Sequence, residues 1–163
     1  MSEQEALLKL SALCSRSEHS SGEMRDKLRR WGFSENEREH IVQRLIDERF
    51  IDDERFCRFF VRDKIRFDKW GRRKIEQALF LKGIDSSISQ TVLDEVCDDD
   101  FVEILRPLIA AKRRTTKASS DYELRAKLTR YALSRGFGMD IIRQVVGETY
   151  DDEATNYHDN DDF

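Results

Sequence analysis

An internal repeat with a spacing of 51 residues limits what this chain can fold into. The segment at 22–33, GEMRDKLRRWGF, is echoed at 72–84 by RRKIEQALFLKGI. A shift of 51 pairs apolar residues with apolar residues and glycine with glycine: Met24 with Ile75, Leu28 with Leu79, Gly32 with Gly83, Phe33 with Ile84, Ile41 with Val92 and Leu45 with Val96. A period of this length is typical of arrays of small structural units, each of which buries its apolar face against the next.

A third copy of the repeat is present at 122–137, and helix-end signals recur in all three copies. Residues 123–128 share the pattern E-[ML]-R-x-K-L with residues 23–28, and Gly136 follows slightly later than a strict copy requires. Three serines precede a glutamate at capping-box spacing, in which hydroxyl and carboxylate satisfy the first amides of a helix: Ser20 with Glu23, Ser34 with Glu37, and Ser120 with Glu123. Asp52 and Asp85 predict two further helix starts, and Gly32, Gly83 and Gly136 predict helix ends.

These signals predict an all-α chain of nine helices, arranged as three tandem three-helix repeats. The expected helices are 3–16, 21–31, 34–48, 52–67, 71–82, 85–97, 99–114, 120–134 and 138–149. The expected divisions are repeat 1 at 3–51, repeat 2 at 52–98, repeat 3 at 99–149 and an acidic, disordered tail at 150–163. Pro107 predicts a kink or a break in the seventh helix. The register of the first helix stays open, because a shift of 50 pairs Leu7 with Cys57 and a shift of 51 pairs Leu10 with Val61.

Composition and the absence of familiar motifs exclude several classes of function. No apolar run approaches the roughly 20 residues of a membrane span, and the first residues lack the pattern of a signal peptide, so we expect a cytoplasmic protein. Cys14, Cys57 and Cys97 stand far apart and are expected to be small core residues. The sequence contains no nucleophile with a base, no metal-ligand spacing and no phosphate loop, so we predict a non-enzymatic protein without metal or cofactor.

Basic and aromatic residues are concentrated at 54–74, although the whole chain has a formal net charge of -4. This stretch holds nine Lys or Arg, three acids and five Phe or Trp. On an α-helix, a basic stripe lies opposite a predicted core face that includes Phe56, Phe60 and Phe67, and Phe59 is expected to be partly exposed. Members of the stripe and of the next helix start form the first candidate binding set: Arg58, Arg62, Arg66, Lys69, Arg72, Arg73 and Lys74.

A second basic concentration lies in repeat 3, at Lys112, Arg113 and Arg114, with Lys117 just beyond. Two such patches in an acidic chain favour an interaction with phosphate backbones or acidic surfaces, while solvated helix faces are the alternative. The stretch from 147 to 163 has seven acids and no Lys or Arg, and it accounts for much of the negative charge. The tail either competes for the basic surface or aids solubility.

The run FIDDERFCRFFVRDKIRFDKWGRRKIEQALFLKGID at 50–85 resembles the most characteristic segment of the RecX family. The matching residues are Asp52, Asp53, Phe56, Phe60, Val61, Gly71, Arg73, Ile75, Leu79, Lys82, Gly83 and Ile84. Further pieces are the ALxxL pattern at Ala6, Leu7 and Leu10, the segment Ser20 to Leu28, and the R-G-F at 135–137. The resemblance covers about residues 5–148, and Arg72 stands where the family usually has proline.

This resemblance implies an elongated, curved array of nine helices that lies in the groove of the RecA filament on DNA and inhibits RecA. It also implies a role in regulating homologous recombination and the SOS response, and weak, non-specific binding of single- and double-stranded DNA by a monomer. We expect the basic residues of both patches to contact acidic filament surfaces or DNA phosphates.

Two other functions remain open from the sequence. A regulator that binds DNA by itself fits three-helix units with glycine turns, although no helix shows an evident base-reading set. A helical scaffold that binds only protein is the third possibility. Sequence-dependent footprints without RecA would favour the former, and absence of DNA affinity at low salt would favour the latter.

Overall fold

The computed structural model describes residues 1–147, and the predicted tail at 150–163 lies outside them. The described chain forms nine α-helices, one π-helical segment at Lys64–Asp68 and no strand. The helices are α1 Glu3–Arg16, α2 Ser21–Arg30, α3 Glu35–Asp47, α4 Asp53–Asp63, α5 Arg72–Leu81, α6 Ser86–Asp94, α7 Asp98–Thr115, α8 Asp121–Ser134 and α9 Met139–Val146. The all-α prediction is confirmed. The prediction of one continuous α-helix over 52–67 is wrong from Lys64 onward.

The predicted serine caps form, and one of them closes both halves of the capping box. Ser34 accepts a hydrogen bond from the N–H of Glu37, whose carboxylate accepts one from the N–H of Ser34. Ser20 and Ser120 also accept from the amide three residues later. The glutamates that follow them bind other partners instead, so only the hydroxyl half of the box is present at those two starts.

The three predicted glycines end their helices with the same hydrogen-bonded turn. Gly32, Gly83 and Gly136 have φ of 88°, 75° and 95°, values that side chains with a Cβ rarely adopt. In each turn the residue after the glycine donates its N–H five residues back, as in Phe33 to Leu28 at 3.1 Å. This is the Schellman motif, so α2, α5 and α8 all end in the same way.

The described chain divides into two compact units that differ from the sequence repeats. Unit 1 comprises residues 1–62 and 76–94, and unit 2 comprises residues 63–75 together with the described residues from Glu95 onward. The second repeat therefore contributes α6 and parts of α4 and α5 to unit 1, and its basic middle segment to unit 2.

Unit 1 is built on an apolar core to which α1, α2 and α3 contribute. Both α1 and α2 contact α3. The innermost side chains include Leu10 of α1, Met24 and Leu28 of α2, and Leu45 of α3, which are fully buried; Met24 and Leu28 lie one helical turn apart. Burial of such side chains contributes roughly 1.5–3 kcal/mol each, so this apolar periodicity is the main stabilising term of the unit.

Unit 1 also contains a close helix-to-turn contact, which we call the first junction, between Ser20–Gly22 and Lys82–Gly83. The Ser20 hydroxyl donates to the carbonyl of Lys82 at 2.8 Å. A Cβ on Gly22 would lie 2.3 Å from that carbonyl oxygen. Asp53, at the start of α4, accepts from the N–H of Ser21 at 2.7 Å and from its hydroxyl at 2.5 Å. Glycine and hydrogen-bonded side chains thus allow two backbones to meet.

Carboxylates neutralise the cations around the first junction. The Glu23 carboxylate lies 3.1 Å from Nδ1 of His19 and 3.5 Å from Nζ of Lys82. Burial alone would raise the pKa of Glu23, but the His19 hydrogen bond and the Lys82 charge hold it below its ordinary value. Arg55 pairs with Glu18 at 2.7 Å.

Unit 2 packs α7, α8 and α9 against one another, and α7 also contacts the π-helical segment. Phe101 and Phe137 meet edge to face with ring centroids 6.5 Å apart. Helix α7 continues through Pro107 to Thr115, so the predicted break is absent. Pro107 is exposed, whereas Leu105 and Ile109 on the same helix are buried, and their packing holds the helix on both sides of the proline.

The three cysteines differ in their burial. The prediction that all three cysteines lie in the core is wrong for Cys97, which is exposed because it caps the start of α7, while Cys57 is buried and Cys14 half-buried. Among residues 1–147, no helix is long and apolar enough to cross a membrane.

Candidate functional site

The candidate site is the basic segment, residues 64–74 of unit 2, and it begins with the π-helical turn Lys64–Asp68. The carbonyl of Lys64 accepts the N–H groups of both Lys69 and Trp70. This wider turn displaces the side chains that follow from the register of α4. Phe67, which the α-helical projection placed on the core face, is 68% exposed. The core prediction for Phe67 is therefore wrong, and the change of helix type is the reason.

Arg135 anchors the end of the π-helical turn. Its guanidinium donates to the carbonyl oxygens of Asp68 and of Lys69, the latter at 3.3 Å. Lys69 is left-handed, with φ of 57°, a conformation that costs a non-glycine residue on the order of 1–3 kcal/mol. The guanidinium offsets part of this cost, because it binds the carbonyls of two successive residues at the end of the turn. A residue just after the end of α8 therefore helps to hold the segment in place.

Trp70 organises two lysines of the basic segment. The ammonium groups of Lys64 and Lys74 lie 4.7 Å and 4.8 Å from the centre of its ring system. Lys64 also pairs with Asp68 at 3.0 Å. Cation–π contact of this kind fixes the position of a cation without cancelling its charge. Lys64, Trp70 and Arg135 were absent from the predicted site, although the W-G pair directly before RRK is a signal that could have indicated Trp70.

The start of α5 is held against the α8–α9 turn by what we call the second junction, between Gly71–Arg73 and Arg135–Gly136. The N–H of Gly71 donates to the carbonyl of Arg135 at 2.9 Å, and the N–H of Arg73 donates to that of Gly136 at 3.0 Å. A Cβ on Gly71 would lie 2.4 Å from backbone atoms of Gly136 and Phe137. The junction therefore requires glycine at 71, and it places the first turn of α5, with its basic side chains, at the surface of unit 2.

Most of the predicted cations have no carboxylate partner within the described chain. Arg66 and Arg73 are exposed, while Lys69, Arg72 and Lys74 are half-buried. Among residues 1–147, no ion pair is formed by Arg62, Arg66, Lys69, Arg73, Lys74, Lys112, Arg113 or Arg114. The charge of these groups therefore remains available to an external anion.

The second predicted patch lies at the end of α7, where cations complement the helix dipole. Lys112, Arg113 and Arg114 are all exposed. The Lys112 ammonium lies 5.1 Å from the centre of the Tyr131 ring. Tyr131 is one helical turn before Arg135, which grips the basic segment. The end of α8 thus contacts one predicted patch through Tyr131, and the residue that follows α8 contacts the other through Arg135.

Arg58 and Arg62 are on the part of α4 that belongs to unit 1. Arg58 pairs with Glu54 at 2.8 Å, so its charge is partly compensated on the helix surface. The i,i+4 spacing of Arg58 and Glu54, which allows this pair to form, can be read from the sequence. Arg62 lies 5.7 Å from the ring centre of Phe59, which is 45% exposed, as the sequence predicted.

Family models for RecX match three consecutive parts of the chain. The first three-helix domain of RecX matches residues 9–45, the second matches residues 52–93 and the third matches residues 98–146. The matched ranges together cover most of the described helices.

Curated relatives carry the name "Regulatory protein RecX". The protein of Acinetobacter baylyi is 33% identical over 135 residues, which are 83% of this chain and 82% of that protein. The protein of Prosthecochloris aestuarii is 34% identical over 132 residues, or 80% and 84% of the two chains. A Clostridium botulinum relative is longer, and the match spans 59% of it at 30% identity.

Solved structures show the same fold. The crystal structure of RecX from Lactobacillus salivarius aligns with a TM-score of 0.79 at 25% identity, covering 91% of this chain and 96% of the other. A second crystal structure, of regulatory protein RecX, aligns with a TM-score of 0.81 at 21% identity and covers 88% and 72% of the two chains.

Proposed function

Because this chain belongs to the RecX family, we propose that it is a non-enzymatic regulator of the RecA recombinase. It binds the RecA filament on DNA within the helical groove and inhibits the ATPase and strand-exchange activities of RecA in the cytoplasm. The observation that carries this proposal, beyond family membership, is the set of exposed, unpaired cations in the basic segment and at the end of α7.

The geometry supports binding to a polyanion in a simple way. Arg66 and Arg73 lie on a segment whose backbone is fixed by Arg135 and the second junction, so little backbone freedom is lost when they bind. Cations on such a scaffold attract phosphates or acidic side chains through charge and counterion release. Binding of this kind depends strongly on salt and weakly on nucleotide sequence.

Charge reversal tests the proposal. The triple variant Arg62→Glu, Arg66→Glu, Arg73→Glu should abolish inhibition of RecA-driven strand exchange and ATPase activity, with unchanged helix content by circular dichroism. The matched control is Arg16→Glu, Arg30→Glu, Arg44→Glu, which makes the same change in net charge on α1, α2 and α3. Full inhibition by the first variant would contradict the site, and equal loss in both would indicate a general charge effect.

A second candidate is a regulator that binds DNA without RecA. The contact between α2 and α3 across the Gly32 turn favours it, because helix–turn–helix modules join two helices through a short turn that often contains glycine. A sequence-dependent footprint on duplex DNA in the absence of RecA would support this candidate. Binding that is weak, salt-sensitive and independent of sequence would instead support the RecA regulator.

A further inference from the structure

We propose that Phe67 is a stacking surface for an unpaired base of single-stranded DNA. This inference rests on the proposed function and deepens it, because it names single-stranded DNA as a direct ligand of the basic segment. Its starting point is a large aromatic side chain that is 68% exposed in the middle of a row of cations.

The exposure of Phe67 follows from the backbone. The π-helical turn displaces Phe67 from the α4 core face, and Arg135 holds the following carbonyls in place. Phe56, on the preceding α-helical turns, is buried at 7% exposure. The fold therefore buries one phenylalanine of this run and holds another out in water, at the loss of its hydrophobic stabilisation. π-Helical turns are frequent at functional sites, where they re-aim a side chain.

The surroundings of Phe67 are suited to a nucleotide. The Arg66 guanidinium lies 5.3 Å from the ring centre, so a cation and an aromatic face are presented together. Lys69, Arg73 and Lys74 follow in the same unit without carboxylate partners among residues 1–147. The neighbouring acid, Asp68, pairs with Lys64. A base on the ring would thus have its phosphates within a positive field.

Single-stranded DNA fits this site better than duplex DNA or a protein surface. In a duplex, the faces of the bases are covered by stacking, whereas an unpaired base offers a π-face of any identity. A protein partner that bound the ring through apolar contact would require apolar neighbours. Phe67 stands between Arg66 and Asp68, whereas Phe80 of unit 1 has a second exposed apolar side chain, Leu81, directly beside it in the sequence.

The experiment compares two ligands that have the same phosphates. Fluorescence anisotropy at low salt would measure binding of the full chain to an oligothymidine of about 15 nucleotides and to an abasic strand of equal length. We expect Phe67→Ala to weaken binding to oligothymidine by roughly five- to tenfold. This is the lower part of the range for stacking on one base, because a base on the ring would be stacked on one face only. Binding to the abasic strand should not change.

Two further variants separate stacking from other effects. Phe67→Trp should keep or increase the preference for oligothymidine, and Phe67→Leu should lose most of it although the side chain remains apolar. Phe80→Ala removes a ring that is 77% exposed in unit 1 and should change neither affinity.

Equal losses on both strands, no loss on oligothymidine, or full retention by Phe67→Leu would overturn the inference. If Phe67→Ala bound oligothymidine normally but bound the RecA filament weakly, the ring would contact protein, and the inference would fail while the proposed function stood. If oligothymidine binding behaved as expected but RecA were not inhibited by the wild-type chain, only the proposed function would fail.

Discussion

In the first junction the carbonyl of Lys82 accepts a hydrogen bond from the Ser20 hydroxyl at 2.8 Å, and in the second the carbonyl of Arg135 accepts one from the Gly71 N–H at 2.9 Å. Both carbonyls belong to the residue just before a glycine of positive φ that ends a helix. Both lie against the start of a helix one repeat earlier in the chain. A hydrogen bond from the start of a helix to the carbonyl just before a helix-ending glycine therefore occurs once in each compact unit, from a side chain in the first and from the backbone in the second.

The two junctions differ in the partners of their cations. In the first, Lys82 pairs with Glu23 and Arg55 pairs with Glu18. In the second, Arg135 binds carbonyl oxygens and Lys74 lies over the Trp70 ring. A carboxylate cancels the charge of a cation, but a carbonyl oxygen or a ring does not. A helix start packed against a glycine turn is thus surrounded by compensated charges in unit 1 and supports a positive surface in unit 2.

The largest expected effect on stability comes from replacing the glycine at the close contact of either junction with alanine. Gly71→Ala would place a Cβ 2.4 Å from backbone atoms of Gly136 and Phe137, and Gly22→Ala would place one 2.3 Å from the Lys82 carbonyl oxygen. Backbone cannot move aside cheaply, so each should lower the free energy of unfolding by about 3 kcal/mol. Urea unfolding measures the loss. Hydrogen exchange should show it in α8 and α9 for Gly71→Ala, and in α2 and α3 for Gly22→Ala.

Gly32→Ala is the matched control, because Gly32 ends α2 with a positive φ but has no atom within 4 Å of an added Cβ. It should cost only about 1–2 kcal/mol, the strain of the left-handed conformation. A cost for Gly71→Ala no greater than that of Gly32→Ala would show that the second junction is not a close backbone contact.

A smaller effect is expected from Asp53→Ala, which tests the side-chain part of the first junction. The change leaves the N–H and hydroxyl of Ser21, a residue 3% exposed, without their acceptor. Loss of a buried acceptor should cost about 1–3 kcal/mol in urea unfolding. Protection of α8 and α9 from hydrogen exchange should not change, because Asp53 and Ser21 belong to unit 1 and these two helices belong to unit 2.

Asp26→Ala removes an exposed carboxylate of the same unit and should cost less than about 0.5 kcal/mol. Similar stabilities of Asp53→Ala and Asp26→Ala would show that backbone contact alone holds the first junction.

The helices could be predicted from the sequence because their signals are local. Ser34 and Glu37 lie three residues apart and bind each other's backbone, and Gly32, Gly83 and Gly136 end helices because no other residue adopts their φ cheaply. Such features depend on residues within one or two turns. Their agreement with the apolar period predicted the number and order of the described helices, with ends that differ by up to four residues.

The candidate site was less predictable because its geometry depends on distant residues. Phe67 was assigned to the core on the assumption that α4 continued, and the π-helical turn is held by Arg135, 67 positions after Asp68. The contact of Gly71 with Gly136 is likewise tertiary. Arg58 is different, since its pairing with Glu54 follows a spacing that the sequence displays.

The smallest expected effect tests whether the difference in charge between the junctions reaches a ligand. Arg73, near the second junction, forms no ion pair in the described chain, whereas Arg25, near the first, donates to Glu39 at 2.7 Å and 3.2 Å. Arg73→Ala should lower the slope of log affinity against log salt for oligothymidine by about 0.7, the contribution of one phosphate contact on a single strand. Arg25→Ala should leave the slope unchanged, because its charge is already compensated. Equal changes in slope for the two variants would mean that the ion pair with Glu39 does not prevent Arg25 from contacting a DNA phosphate.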